Sequence, residues 1–202
     1  MTAARPAWAA DLLHYWFHKL RPPQWFTRDN AVDAMLRRRF APLLPGLSRQ
    51  PPRKFLANPL LARAAVLLFD QVPRNSFRGS PRAFATDRLA AAITRAALAR
   101  GWHRRLTRSQ RQFLLLPLMH SEAIAEQRLS VRYFAANGDA GRTGFARSHF
   151  RMVARFGRFP HRNAVLGRRS SPAEACAVAS GIGPRIQRRR SPFFRRTVVM
   201  VA

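Results

Sequence analysis

The stretch Asn58 to Gly79, NPLLARAAVLLFDQVPRNSFRG, decides the fold. Asn58 is a residue type whose side-chain oxygen accepts from the free N–H groups at a helix start. Pro59 suits the first turn, where its missing donor is not needed. Ala64 to Phe69 is apolar without a break, so the helix that carries it is expected to be buried. Pro73 is expected to end that helix, because proline offers no N–H and crowds the carbonyl four residues back. One acid, Asp70, stands at the close of the apolar run, and an acid in that place needs a local job.

The same pattern extends in both directions, with apolar residues recurring at helical spacing and no strand alternation. Upstream, Leu12, Leu13, Trp16, Phe17 and Leu20 form a stripe that ends at Pro22 and Pro23. A second stripe, Val32, Met35, Leu36, Phe40 and Leu43, follows Asp29 and stops near Pro45, with Arg37, Arg38 and Arg39 read as a solvated face. Residues 46–57 are a Pro-rich connection. Downstream, Ser80-Pro81 reads as a cap opening an alanine-rich helix that closes at Gly101. Thr107 and Gln110 have capping-box spacing for a helix to Leu116, and Pro117 is expected to bend or restart the chain. A helix from Ser121 carries Ile124, Arg128, Val131 and Phe134, and another holds Phe145, Phe150, Val153 and Phe156. Ser171-Pro172-Ala173-Glu174 is a capping box for a short last helix, in which Cys176 reads as a small buried residue. The sum is an all-α protein of about eight helices in antiparallel hairpins, with no sheet.

The chain has 202 residues, 47% of them apolar, enough for one substantial core. A single domain is expected over 1–180, with a basic, disordered tail over 181–202, where arginines crowd and acids are absent. No apolar run approaches the roughly 20 residues of a membrane span. Asp11, His14 and His18 near the start do not suit a secretory signal, and a lone cysteine suits a reducing compartment, so the reading is cytoplasmic. Lysine and arginine number 37 against 9 acids, a formal charge of +28 that draws the protein toward nucleic acid. Only Lys19 and Lys54 are lysines, the arginines are dispersed, and no RNP string, GXXG loop or zinc-finger spacing accompanies them.

The strings LFDQVPRNSFRG (68–79), AFATD (83–87), LLPLMHSE (115–122) with Gln127 soon after, and RFGRFPHRNAVLGR (155–168) resemble those of a bacterial family catalogued as domain of unknown function 924. The resemblance covers about residues 8–175. It implies an all-helical fold similar to tetratricopeptide-type hairpins and carries no activity, cofactor or partner with it.

Those strings also hold the candidate site. Asp70 at a helix end faces the negative end of the dipole and needs a cation, which Arg74, Arg78 or Arg162 can supply as a charge-assisted pair. Asp70, Arg74 and Asn75 can equally tie one helix end to the next, and Arg162 and Asn163 after Pro160 have the same shape. Ser121 reads as an N-cap with Glu122 in the first helical turn. His120 and His161 with Asp70 or Glu122 form a possible general acid/base set, since histidine titrates near neutrality. His120 and Glu122 are two apart, on different sides of a helix, and no HExxH spacing appears, so no metal and no cofactor is assigned. The ligand-binding candidates are Arg74, Asn75, Arg78, Gln127, Arg162 and Asn163. Three functions follow: a binding or scaffold module for a peptide or small ligand, an acid/base hydrolytic enzyme built on the His/Asp/Glu/Arg set, and an arginine-driven, non-specific nucleic-acid binder.

Overall fold

A computed structural model describes residues 6–138 and 140–180, and the basic tail expected from 181 lies outside them. Among the described residues every regular element is helical. Helix α1 spans 7–19, α2 Asn30–Arg39, α3 59–76, α4 Asp87–Ala99, α5 Arg108–His120, α6 Ile124–Ala136, α7 Ala140–Phe156 and α8 Pro172–Ala179. Neighbours in sequence are neighbours in space from α3 to α7, and α1 lies on α3. The capping boxes at Thr107–Gln110 and Ser171–Glu174 form as read, and Asp29 caps α2 by accepting from the backbone N–H groups of Ala31 and Val32.

The core follows the apolar stripes. Leu12, Trp16, Leu36, Phe40, Ala64 to Phe69, Ile93 and Phe113 to Leu115 are buried together. Trp16 packs edge-on against Phe113 with ring centroids 5.3 Å apart, and Phe55 packs on Phe69 in the same way at 5.1 Å. A smaller cluster of Met152, Val153 and Phe159 seals the C-terminal half.

Pro73 does not end α3. The helix widens into a π turn at Leu67–Gln71, in which the Val72 N–H reaches the Leu67 carbonyl, and then continues as Val72–Ser76. The wider turn accommodates the proline ring and leaves the Phe69 carbonyl, four residues before it, without a backbone donor from Pro73. The Thr86 hydroxyl, from the segment before α4, donates to that carbonyl at 2.6 Å. Helix α1 repeats the device: it ends in a π turn at Tyr15–Lys19, and the Trp16 carbonyl accepts from Trp25 Nε1 at 2.8 Å.

Three further boundaries differ from the expectation. Ser80-Pro81 caps only a short 3-10 turn, Pro81–Ala83, and the alanine-rich helix begins at Asp87. Helix α5 runs through Pro117 to His120, with the Thr94 hydroxyl bonded to the Leu114 carbonyl beside it. Ser121 is not the cap of α6, which starts at Ile124. Two arginines of the expected solvated face are tied down: Arg37 donates to the Ser76 carbonyl at 2.9 Å and Arg39 pairs with Asp11 at 2.6 Å. Cys176 is exposed, because α8 buries Glu174 and Ala177 instead.

Replacing Thr86 by Val keeps the shape and removes the donor. Leaving the buried Phe69 carbonyl unpaired is expected to cost about 1 to 3 kcal/mol. Urea titration of the two proteins measures it, and an unchanged midpoint would mean that the carbonyl has another partner.

Candidate functional site

Asp70 sits in the π turn of α3 and is fully buried. Its Oδ2 accepts from Gln71 Nε2 at 2.5 Å, and its Oδ1 lies 2.7 Å from His120 Nδ1 and 3.1 Å from Arg74 Nη1. Arg74, one turn further along, also donates to the Asp70 carbonyl at 2.9 Å and grips Asp87 with both terminal nitrogens at 2.8 Å. Asp87 opens α4, where the helix dipole favours an anion. A second guanidinium meets the same carboxylate: Arg162 Nη1 reaches Asp87 Oδ2 at 3.1 Å while Nη2 donates to the His120 carbonyl at 2.9 Å. Its plane lies between the rings of Phe84 and Phe159, at 4.6 and 4.5 Å, so apolar faces cover what the hydrogen bonds do not.

Two carboxylates and two guanidiniums balance in this cluster. Burial alone would raise the Asp70 carboxyl, but Arg74, His120 and Gln71 outweigh it and hold the group at about 2. Burial, then the charge of Arg74, pushes His120 below its ordinary 6.5 against the pull of Asp70. When Asp70 is ionised it can only accept, so His120 Nδ1 carries the hydrogen of their contact, and burial favours the neutral form of the ring. The other ring nitrogen, Nε2, has no hydrogen-bond partner among the described residues, and the His120 side chain keeps 17% of its surface.

The remaining candidates fall around this core of four. Glu122 is not in a helical first turn. It accepts from the Phe159 N–H at 2.7 Å and is gripped by Arg168 at 2.8 and 2.9 Å, which pins the 157–168 segment to the end of α5. His161 is exposed and tilted against Phe159, no hydrogen bond joins it to His120 among the described residues, and the charge of His120 is one of those that lower its pKa. Gln127 donates to the Met119 and Ser121 carbonyls at 2.8 and 2.6 Å and so closes the end of α5. Asn163 donates to Ser170 Oγ at 3.0 Å. Arg78 turns away from Asp70: it forks onto Asp33 at 2.6 and 2.9 Å and donates to Asn75 Oδ1 at 2.6 Å.

Asp87, Phe84 and Arg168 complete the arrangement and stand outside the candidate set read from the sequence. Asp87 carried a signal, an acid directly before the alanine-rich run, whereas nothing local marks Phe84 or Arg168. Among the described residues no group of three or more His, Cys, Asp or Glu side chains is placed to hold a metal ion, and no helix is long and apolar enough to cross a membrane.

Asp70→Asn removes the charge that three cationic or polar partners, Gln71, Arg74 and His120, face. It is expected to lower stability at pH 7 by about 1 to 3 kcal/mol. Because the folded value lies below the ordinary 3.8, ionised Asp70 contributes stability above pH about 4 that is lost as pH falls through about 2. The wild-type stability should therefore fall more steeply than that of Asp70→Asn over this interval. Parallel acid limbs in chemical denaturation would remove Asp70 as the source.

Against this geometry stand the relatives. The chain is similar to a solved protein of unknown function from Agrobacterium tumefaciens, at 35% identity and a TM-score of 0.79, over 86% of this chain and 97% of that one. A search of curated proteins finds no match. The model of a family described as bacterial protein of unknown function, DUF924, matches residues 12–181 and takes in every residue of the site, so the chain belongs to that family.

Proposed function

We propose that the protein is an acid/base enzyme acting on a small molecule at His120, with Asp70 as the residue that orients and supports the imidazole. The observation that carries this reading is the 2.7 Å contact between a fully buried, ionised carboxylate and His120 Nδ1, with Nε2 unpaired. A carboxylate on Nδ1 fixes the tautomer that leaves Nε2 bare, and it stabilises the imidazolium that forms once Nε2 has taken a proton. Arg162 restrains the site from behind through the His120 carbonyl, so the ring sits on a backbone that is itself tied down.

The rest of the network supports the chemistry by immobility. Arg74 donates to Asp87 and Asp70 and Arg162 to Asp87 and the His120 carbonyl, while Glu122 accepts from Arg168, so none of these is offered as the group that takes a proton. The reaction class that suits one bare, neutral imidazole is removal of a proton from water or a hydroxyl that attacks an ester-type carbonyl, with return of that proton to the leaving group.

Hydrolysis of p-nitrophenyl acetate tests this. Nitrophenolate release above buffer background is expected to rise with pH through a value below 6.5, since burial and Arg74 lower His120 and the neutral ring is the active form. His120→Gln should lose about 10²-fold or more of that rate. Asp70→Asn should keep the ester site but lose rate through tautomer and support. Equal rates in wild type and His120→Gln would sink the reading, because the exposed His14 and His18 would then account for any turnover.

A further inference from the structure

A cleft of about 330 Å³ opens between α2 and the last turn of α3, apart from the His120 site, and Arg28, Arg37, Arg78, Asp33 and Ser76 line it. Two of its arginines are already held. Arg37 Nε donates to the Ser76 carbonyl at 2.9 Å, which leaves both terminal nitrogens of its fork without a protein partner among the described residues. Arg78 is clamped by Asp33 through Nε and Nη2 at 2.6 and 2.9 Å, which leaves Nη1. Arg28 is exposed and has no partner among the described residues. Ser76 is 2% exposed, and its hydroxyl is buried without a hydrogen bond. A buried hydroxyl with no partner is costly, and a ligand oxygen in the cleft would supply the acceptor it lacks.

We infer that this cleft binds the phosphate group of a small phosphorylated molecule. Three arginines against one aspartate leave a net charge of +2 at the cleft, which matches a phosphate monoester dianion. A carboxylate has two oxygens and suits one guanidinium fork, whereas a phosphate presents three terminal oxygens to donors arriving from different directions. The clamps on Arg37 and Arg78 exist without the ligand, so little side-chain order has to be gained on binding. The volume suits a small molecule with one phosphate. Ser76 and Arg78 come from the string that carries Asp70 and Arg74, so LFDQVPRNSFRG serves the His120 cluster with its first half and this cleft with its second.

Calorimetric titration with phenyl phosphate, and with benzoate as the carboxylate comparison, tests the inference on the full chain in 150 mM salt at pH 7.5, where background binding to a very basic protein is screened. The expected result is saturable binding at one site, weaker by tenfold or more with benzoate. Arg28→Glu breaks no protein contact among the described residues and should weaken phenyl phosphate by tenfold or more. Arg37→Ala should do the same, and an unchanged melting temperature shows that the loss is not unfolding. The pair Arg147→Ala/Arg151→Ala, exposed on α7, should bind as wild type. Absence of saturable binding overturns the inference. So does an equal loss in the α7 pair, or affinity that appears only with a polynucleotide and ignores Arg28→Glu, since each would mean general attraction to a cationic surface.

Discussion

Asp87 is the constraint on which the site depends, because one carboxylate holds the buried Arg162 and the part-buried Arg74 from different parts of the chain. Arg74 grips it with both terminal nitrogens, and Arg162 reaches it from 75 residues away. Guanidiniums cannot shed their charge at accessible pH, so without Asp87 two positive charges would face each other in a desolvated space. Burial and the nearness of Arg74 already lower Arg162 to about 10. With Asp87 present, α3, α4 and the segment after α7 meet at one point. His120 is held at that point twice, by its ring through Asp70 and by its carbonyl through Arg162.

Backbone irregularity makes this meeting possible. A regular α-helix across residues 66–76 would collide with the Pro73 ring. The π turn inserts the extra residue that relieves the collision, and in doing so it sets Asp70 on the inner face beside His120. Thr86 closes the account by bonding the Phe69 carbonyl, and it stands one residue before Asp87. The segment that repairs the proline thus also delivers the carboxylate. A π turn aims side chains that regular geometry cannot.

The extreme charge looks different once the partners of the acids are known. Asp11 pairs with Arg39, Asp33 with Arg78, Asp70 and Asp87 with Arg74, Glu122 with Arg168, Glu126 with Arg95 and Glu174 with Arg158, while Asp29 caps α2. No acid among the described residues is idle. Arginine supplies the fork geometry these pairs use, which lysine could not reproduce. Many of the surplus arginines among the described residues are exposed, and at the cleft beside Ser76 several converge on one hollow.

The amino-acid order alone determined what depends on near neighbours. Asn58, Asp29, Thr107 and Ser171 cap helices because each side chain reaches a backbone N–H two or three residues on, and that geometry is local. The all-α class and the burial of Ala64 to Phe69 follow from periodicity and apolar runs, which are also local. An acid inside an apolar string signals a partner for the same reason. The tertiary structure decided which partner. Asp70 took His120, Arg78 took Asp33 and Arg162 took Asp87, choices that only packing across 45 to 75 residues can make. It also decided that α3 and α5 pass through Pro73 and Pro117, where local propensity ends a helix. Burial of the flanking apolar turns outweighs the lost backbone bond, and at Pro73 the Thr86 hydroxyl also satisfies the freed carbonyl.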